Sequence, residues 1–210
     1  MSALEELGRR FARFTTNQVV RRPSLWRFFR RLTRLQFARL APVWDSMRSP
    51  ESLAPFEAGL SGVDPPPERV LDLGTGTGAG ALAVAGRFPG AEIVGVDLAG
   101  AMVERARRNT PAELADRVRF EVGDAQRLPF ADASFDLVTL ANMIPFFDEL
   151  DRVLAPGGSV LFAFSSGAET PIYVPPERLR DELGRRGYSN FAEFAAGNGT
   201  ALVARKAGRG

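Results

Sequence analysis

The sequence predicts an α/β fold: a doubly wound, mostly parallel seven-stranded sheet that ends in an antiparallel hairpin, with an N-terminal helical lid. Three observations predict it. From residue 69 onward, short continuous apolar runs alternate with helical stretches, the pattern of a parallel sheet covered on both faces. The first run leads into VLDLGTGTGAG at 70–80, with glycine at 74, 76, 78 and 80 ahead of the Ala-rich AGALAVAGRF, which reads as a buried strand, a tight turn and a helix. Towards the C-terminus two strands, near 190–195 and 201–205, lie close together across Gly197-Asn198-Gly199, which reads as a hairpin.

Taken in order, residues 3–20 have weak helical patterning, and Pro23-Ser24 restarts a second helix, LWRFFRRLTRLQFARL. On a helical wheel Leu25, Phe28, Phe29, Leu32, Leu35 and Leu40 fall on one side, opposite Arg27, Arg30, Arg31 and Arg34. Such a helix either packs on the domain as a lid with a solvated basic face, or meets an anionic membrane or an amphiphilic substrate; the lid is the preferred reading. Ala41-Pro42 ends it. Residues 43–67 are irregular, with a short helix at about 51–59, and Asp64-Pro65-Pro66-Pro67 forms a stiff spacer without backbone donors at its prolines. That spacer divides an N-terminal helical segment, 1–64, from the main domain, 65–210. Strands follow at 69–73, 92–97, 117–122, 135–140 and 159–164, with helices at 78–87, 100–109, 146–154 and 176–186 between or after them.

The 210 residues fit one full-sized domain with an appendage, and 45% hydrophobic content supplies a sizeable core. The absence of both cysteine and histidine removes disulfides, thiol nucleophiles, Ser-His-Asp chemistry and His- or Cys-ligated metal sites, so no metal is expected. No apolar run approaches the ~20 residues of a membrane span, and the first residues carry no apolar signal region, so a cytoplasmic protein without integral membrane association is expected. The net charge of +2 is divided: residues 1–48 carry +8 and the remainder −6. An acidic main domain is a poor match for a polyanion, so nucleic acid is not expected as a substrate.

Alone, the glycine turn is ambiguous. Gly76, Gly78 and Ala81 satisfy G-x-G-x-x-G/A, and Asp97 ends the second strand about twenty residues on, where it could hold the ribose of NAD or of an adenosyl cofactor. A phosphate loop would need a lysine, and the chain's one lysine is Lys206. The set of positions separates the candidates: D-x-G-x-G-x-G at 72–78, Asp97, G-D-A at 123–125, F-D-L-V at 135–138 and P-G-G at 156–158. In this combination the sequence resembles the class I S-adenosylmethionine-dependent methyltransferases, in particular those acting on small molecules, over about 69–206. The resemblance implies that Asp72, Gly74, Thr75 and Gly76 surround the methionine part of S-adenosyl-L-methionine, and that Asp97 accepts from both ribose hydroxyls. It further implies that Leu98 and Met102 sandwich the adenine, that Asp124 and the Ala125 N–H read its edge, and that Asn142 lies near the methyl group. The plainer alternatives are that Asp72 pins the turn, Met102 is helix core and Asp124 caps a turn. Upstream, QFARLAPVWDSM is similar to the entry segment of quinone-biosynthesis C-methyltransferases, with Trp44 where that family has a tyrosine near the cofactor.

The implied activity is in-line methyl transfer to a small hydrophobic or aromatic acceptor. No N-P-P-Y segment follows the fourth strand, so base methylation in nucleic acids is not indicated; Ala141 to Phe147 is apolar instead. The sequence names no catalytic base, although Tyr173 and Asp148 fall in segments bordering the substrate side. An NAD-dependent oxidoreductase and an inactive cofactor-binding protein of the same fold remain alternatives, peripheral membrane contact through the basic helix stays open, and the oligomeric state is not encoded legibly.

Overall fold

The computed structural model describes residues 3–208. Helices α1 (Ala3–Arg21), α2 (Trp26–Leu40), α3 (Trp44–Met47) and α4 (Ala54–Leu60) precede the sheet. Then β1 (Arg69–Leu73), α5 (Ala79–Arg87), β2 (Glu92–Asp97), α6 (Gly100–Asn109), β3 (Val118–Val122), β4 (Phe135–Ala141), α7 (Phe147–Val153), β5 (Leu154–Phe164), α8 (Pro176–Gly184), β6 (Tyr188–Ala196) and β7 (Gly199–Lys206) follow. The seven strands lie in the order β3-β2-β1-β4-β5-β7-β6. Every pair from β3 to β5 is parallel, whereas β7 is antiparallel to both β5 and β6. The expected doubly wound sheet with a terminal hairpin and N-terminal helices is what forms.

The parallel strands are apolar because both their faces are covered. Leu71, Val94, Val138 and Val160 point into one core, with Val19 and Trp26 of the N-terminal helices, while Val70, Ile93, Leu137 and Leu161 point into the other. The period-2 alternation of the pleat sends neighbouring residues of each strand to opposite cores. The order reverses between β1 and β4, so the carboxyl ends of β1 and β2 open the crevice where ligands of such sheets bind. A dinucleotide-binding sheet runs 3-2-1-4-5-6 with its strands parallel; the antiparallel β7 beside β5 departs from that plan.

Most bounds fall within one to three residues of expectation, and two differences matter for the packing. β5 starts at Leu154 rather than 159, because Phe135 already pairs with Leu154 and a bulge absorbs the P-G-G segment within the strand. α4 lies before the expected division at 64 and yet packs on the sheet: Phe56 and Leu60 are each 1% exposed, inside the core built on Leu161 and Val203. Gly59 makes that approach possible, since a Cβ there would lie 2.9 Å from Leu161 Cδ1.

α2 also departs from its wheel. Trp26 is buried and Phe29, Phe37 and Leu40 are half-buried, whereas Phe28, Leu32 and Leu35 stand in solvent. Its predicted apolar side is thus split between core and solvent. For α4, Phe56→Ala should lower stability by about 3–5 kcal/mol in urea denaturation. A chain shortened to begin at Pro50 should fold, whereas one beginning at Pro65, stripped of Phe56 and Leu60, should lose its cooperative transition.

Candidate functional site

The crevice is built on the turn between β1 and α5. The Gly74 and Thr75 amides both donate to Val96 O, at 2.8 and 3.1 Å, which stitches the turn to the end of β2. Gly74 and Gly76 sit at φ +68° and +55°, in the left-handed region that side chains disfavour. A Cβ on Gly74 would lie 2.7 Å from Met143 Sδ, and one on Gly76 would lie 3.5 Å from Trp44 Nε1. Met143, after β4, and Trp44, on α3, therefore form a roof over the bare backbone.

Two carboxylates sit at this turn. Asp72, at the inner end of β1, is 2% exposed, and burial pushes its pKa up to about 6. The Thr139 hydroxyl donates to its Oδ1 at 2.7 Å, and the Thr75 hydroxyl and Ala81 amide lie close enough to act against the burial, but neither Oδ2 nor the Thr75 hydroxyl has a partner in full hydrogen-bond geometry. Buried polar atoms are nearly always paired, so two orphans side by side at a glycine turn are what a polar ligand would complete. Asp97, closing β2, accepts from the Gly76 amide at 2.9 Å and from the Ala99 amide at 2.8 Å. Burial raises its pKa, and those two donors pull it back. Each carboxylate oxygen accepts more than one hydrogen bond, so acceptor capacity remains on Asp97.

The N-terminal helices complete the enclosure through residues that the sequence reading passed over. Asp45, next to Trp44, accepts from the Thr77 hydroxyl, from Arg105 Nε at 3.0 Å and from Asn109 Nδ2 at 3.2 Å. Burial alone would raise its pKa, but these donors hold it below the ordinary aspartate value. This clamp ties α3 to the glycine turn and to α6. The half-buried Arg48 guanidinium is desolvated, which lowers its pKa, while the charges of Asp45 and Asp72 act in the opposite sense. On α2 the Trp26 indole donates to Asp124 Oδ1 at 2.9 Å, alongside the Gln126 amide at 3.0 Å, and packs edge-on to Phe146. Arg30 stands 3.7 Å from Asp124 Oδ2. The usable signal was Trp26 itself, a tryptophan outside the apolar stripe of the wheel.

The structure brings Trp44, Asp72, Gly74, Thr75, Gly76 and Asp97 together around one turn, with Asp124 and the buried Ala125 at the end of β3. Leu98 is half-buried beside them. Met102, 1% exposed, lies under α2 and α3, in a cluster with Ala41, Ala99, Phe37 and Trp44. Asn142 has φ +51°, and its side chain bridges to Ser165, donating to Oγ at 3.1 Å and accepting from the amide at 2.9 Å. Neither sequence candidate for a base is set up as one. Tyr173 packs edge-on to Phe164 with its pKa raised by burial, and the exposed Asp148 pairs with Arg186.

Comparison with known proteins agrees with this geometry. Residues 70–158 match a family model described as a methyltransferase domain. A demethylmenaquinone methyltransferase from Thermus thermophilus is 41% identical over 140 residues, covering 60% of this chain and 62% of that protein. A malonyl-[acyl-carrier protein] O-methyltransferase from Methylococcus capsulatus is 39% identical over 113 residues, 50% of this chain and 40% of the relative. The matched stretch thus spans about two-fifths to three-fifths of these relatives' own lengths. Among solved structures, human N-acetylserotonin methyltransferase with S-adenosylmethionine superposes with a TM-score of 0.62 at 22% identity, over 83% of this chain and 56% of that one, a likeness of fold. Residues 70–158 thus match a methyltransferase domain, on a sheet with the fold of a methyltransferase solved with S-adenosylmethionine.

Proposed function

We propose that this chain transfers a methyl group from S-adenosyl-L-methionine to a small apolar acceptor. The observation that carries the reading is the pair of buried, unpartnered atoms at the glycine turn, Asp72 Oδ2 and Thr75 Oγ1. A cationic amino group is the donor that such a carboxylate lacks, and the methionine end of the cofactor has one. Arg48, half-buried and within the field of Asp72, is suited to the carboxylate of that same end. Asp97 would take the ribose hydroxyls on its remaining lone pairs, with charge-assisted geometry. Asp124, its Oδ1 held by Trp26 and Gln126, would offer Oδ2 to the adenine amino group beside the Ala125 N–H, and Leu98 and Met102 would bound the ring. Trp26 is then a positioning residue for the adenine edge.

The cofactor supplies a methyl group already activated on a sulfonium. The residues of this chain have to align, enclose and exclude water, which can contribute on the order of 7–11 kcal/mol in favourable cases. Trp44 and Met143 close over the turn, and Met143, Ile172 and Tyr173 are all part-buried against the same apolar core. No histidine exists to take a proton, so an acceptor that is already nucleophilic suits this site best. An apolar acceptor such as the one named for the demethylmenaquinone methyltransferase relative suits these apolar side chains better than the malonyl-[acyl-carrier protein] named for the other relative. The oxidoreductase reading finds no support in the antiparallel β7.

Three outcomes test the reading. Turnover of S-adenosyl-L-methionine to S-adenosylhomocysteine should appear with hydroxylated aromatic or quinol acceptors and should be absent with NAD chemistry; a chain that binds the cofactor and turns over none of them is a binding protein. Asp97→Ala should weaken S-adenosylhomocysteine binding by roughly 1.5–3 kcal/mol in calorimetry, the loss expected for hydrogen bonds to a charged group. The third concerns pH. Burial raises Asp72 above its unfolded value, so the empty protein keeps that proton up to about pH 6, and a cationic ligand requires its release. Affinity should therefore fall about tenfold from pH 7 to pH 5, and Asp72→Asn should bind weakly with a flatter profile.

A further inference from the structure

Seven of the eight large apolar side chains standing in solvent among the described residues fall between Leu7 and Met47, at 42–64% exposure. Phe28, Leu32 and Leu35, spaced i, i+4, i+7, form one line along α2. Phe14 of α1 extends the patch sideways, since Phe11 and Phe14 both pack edge-on to Phe29 and so hold the two helices together. Arg27, Arg31, Arg34 and Arg39 are exposed on the same helix, and none of the four makes an ion pair among the described residues. The stretch 26–40 contains five arginines and no acidic residue. The cluster is therefore one-sided in charge as well as in place.

We infer that the α1–α2 face docks on an anionic phospholipid bilayer. A surface helix that combines exposed Phe and Leu with a basic flank is what an interfacial helix requires: the apolar tips enter the acyl boundary while guanidinium groups meet lipid phosphates. A second copy of the chain is a poor occupant, because pairing two such faces would bring ten α2 arginines together without a carboxylate on either α2. Charge complementarity therefore selects an anionic partner, and a raised line of side chains, rather than a groove, selects a lipid surface over a peptide. No described helix is long and apolar enough to cross a membrane, so the contact is peripheral. The inference does not depend on methyl transfer. α2 nevertheless links the two, since it carries both this face and Trp26, which holds Asp124.

The test is co-sedimentation of the full chain with vesicles of phosphatidylcholine alone and of phosphatidylcholine mixed with phosphatidylglycerol. Binding to the mixed vesicles only, released by salt, is expected. Replacing Arg27, Arg31, Arg34 and Arg39 by Gln should weaken partition on the order of fivefold per arginine. Phe28→Ser with Leu32→Ser should weaken it as well, with the thermal transition and S-adenosylhomocysteine affinity of both variants unchanged because none of these residues lines the turn. Failure to bind mixed vesicles, equal binding to neutral ones, or a concentration-dependent dimer dissolved by the serine pair would overturn the inference.

Discussion

Everything at the carboxyl end of this sheet depends on burying Asp72 and Asp97 on adjacent parallel strands. An isolated carboxylate out of water is costly, and one that keeps its charge needs donors. Asp97 obtains them from the backbone, the Gly76 and Ala99 amides, and so fixes both the glycine turn and the start of α6. Asp72 obtains one well-formed bond, from Thr139, with the Thr75 hydroxyl and Ala81 amide nearby, and burial still pushes its pKa up to about 6. The turn that accommodates this pair is held to β2 through Val96, and Gly95 leaves the room: a Cβ there would lie 2.7 Å from the Thr75 hydroxyl and 2.5 Å from Phe120. The glycines at this end therefore answer to a steric demand made from several directions at once, by a ligand's approach, by the roof and by the neighbouring strand.

The N-terminal segment is attached in two different ways. α4 is held by apolar burial, through Phe56 and Leu60, and cannot leave without exposing the sheet. α1 to α3 are held in good part by polar contacts: Trp26 to Asp124, Gln126 to Pro23 O at 2.8 Å, the Asp45 clamp, and Arg13 to the carbonyls of Ala168 and Thr170. Each such contact is worth about 1 kcal/mol net, and water can replace it. Val19 and Trp26 add apolar anchorage, but α2 leaves Phe28, Leu32 and Leu35 outside. Segments fastened in this manner open at lower free energy than the core.

Much of this was legible. The bounds of β1, β2 and α6 follow from apolar runs ending at Asp72-Leu73, Asp97 and Asn109-Thr110, since in each the pattern changes where the element does. The glycine turn was legible because a left-handed turn leaves its mark in glycine at fixed offsets. The rest depends on partners distant in sequence. β5 reaches back to Leu154 because Phe135 pairs with it, which no local propensity announces. The clamp on Asp45 joins residues up to 64 positions apart. A helical wheel gives the angle of a side chain but not what lies at that angle, which is why Trp26 was passed over while Phe28, Leu32 and Leu35 were assigned to a buried face.

The charge division has a physical use that fold and site share. Residues 49–210 carry a net −6 and place several carboxylates at the crevice, an arrangement that attracts cations and raises their encounter rate. The sulfonium ligand proposed for this crevice carries more positive charge than the corresponding thioether, so an acidic crevice would favour it. The +8 of residues 1–48 would cancel that field if it faced the crevice. It does so only in part: Arg48 lies within the field of Asp45 and Asp72 and Arg30 near Asp124, while Arg27, Arg31, Arg34 and Arg39 are solvent-exposed. At physiological salt exposed charges are screened over about 8 Å, so the arginines exposed on α2 cancel little of the field that the crevice carboxylates set up.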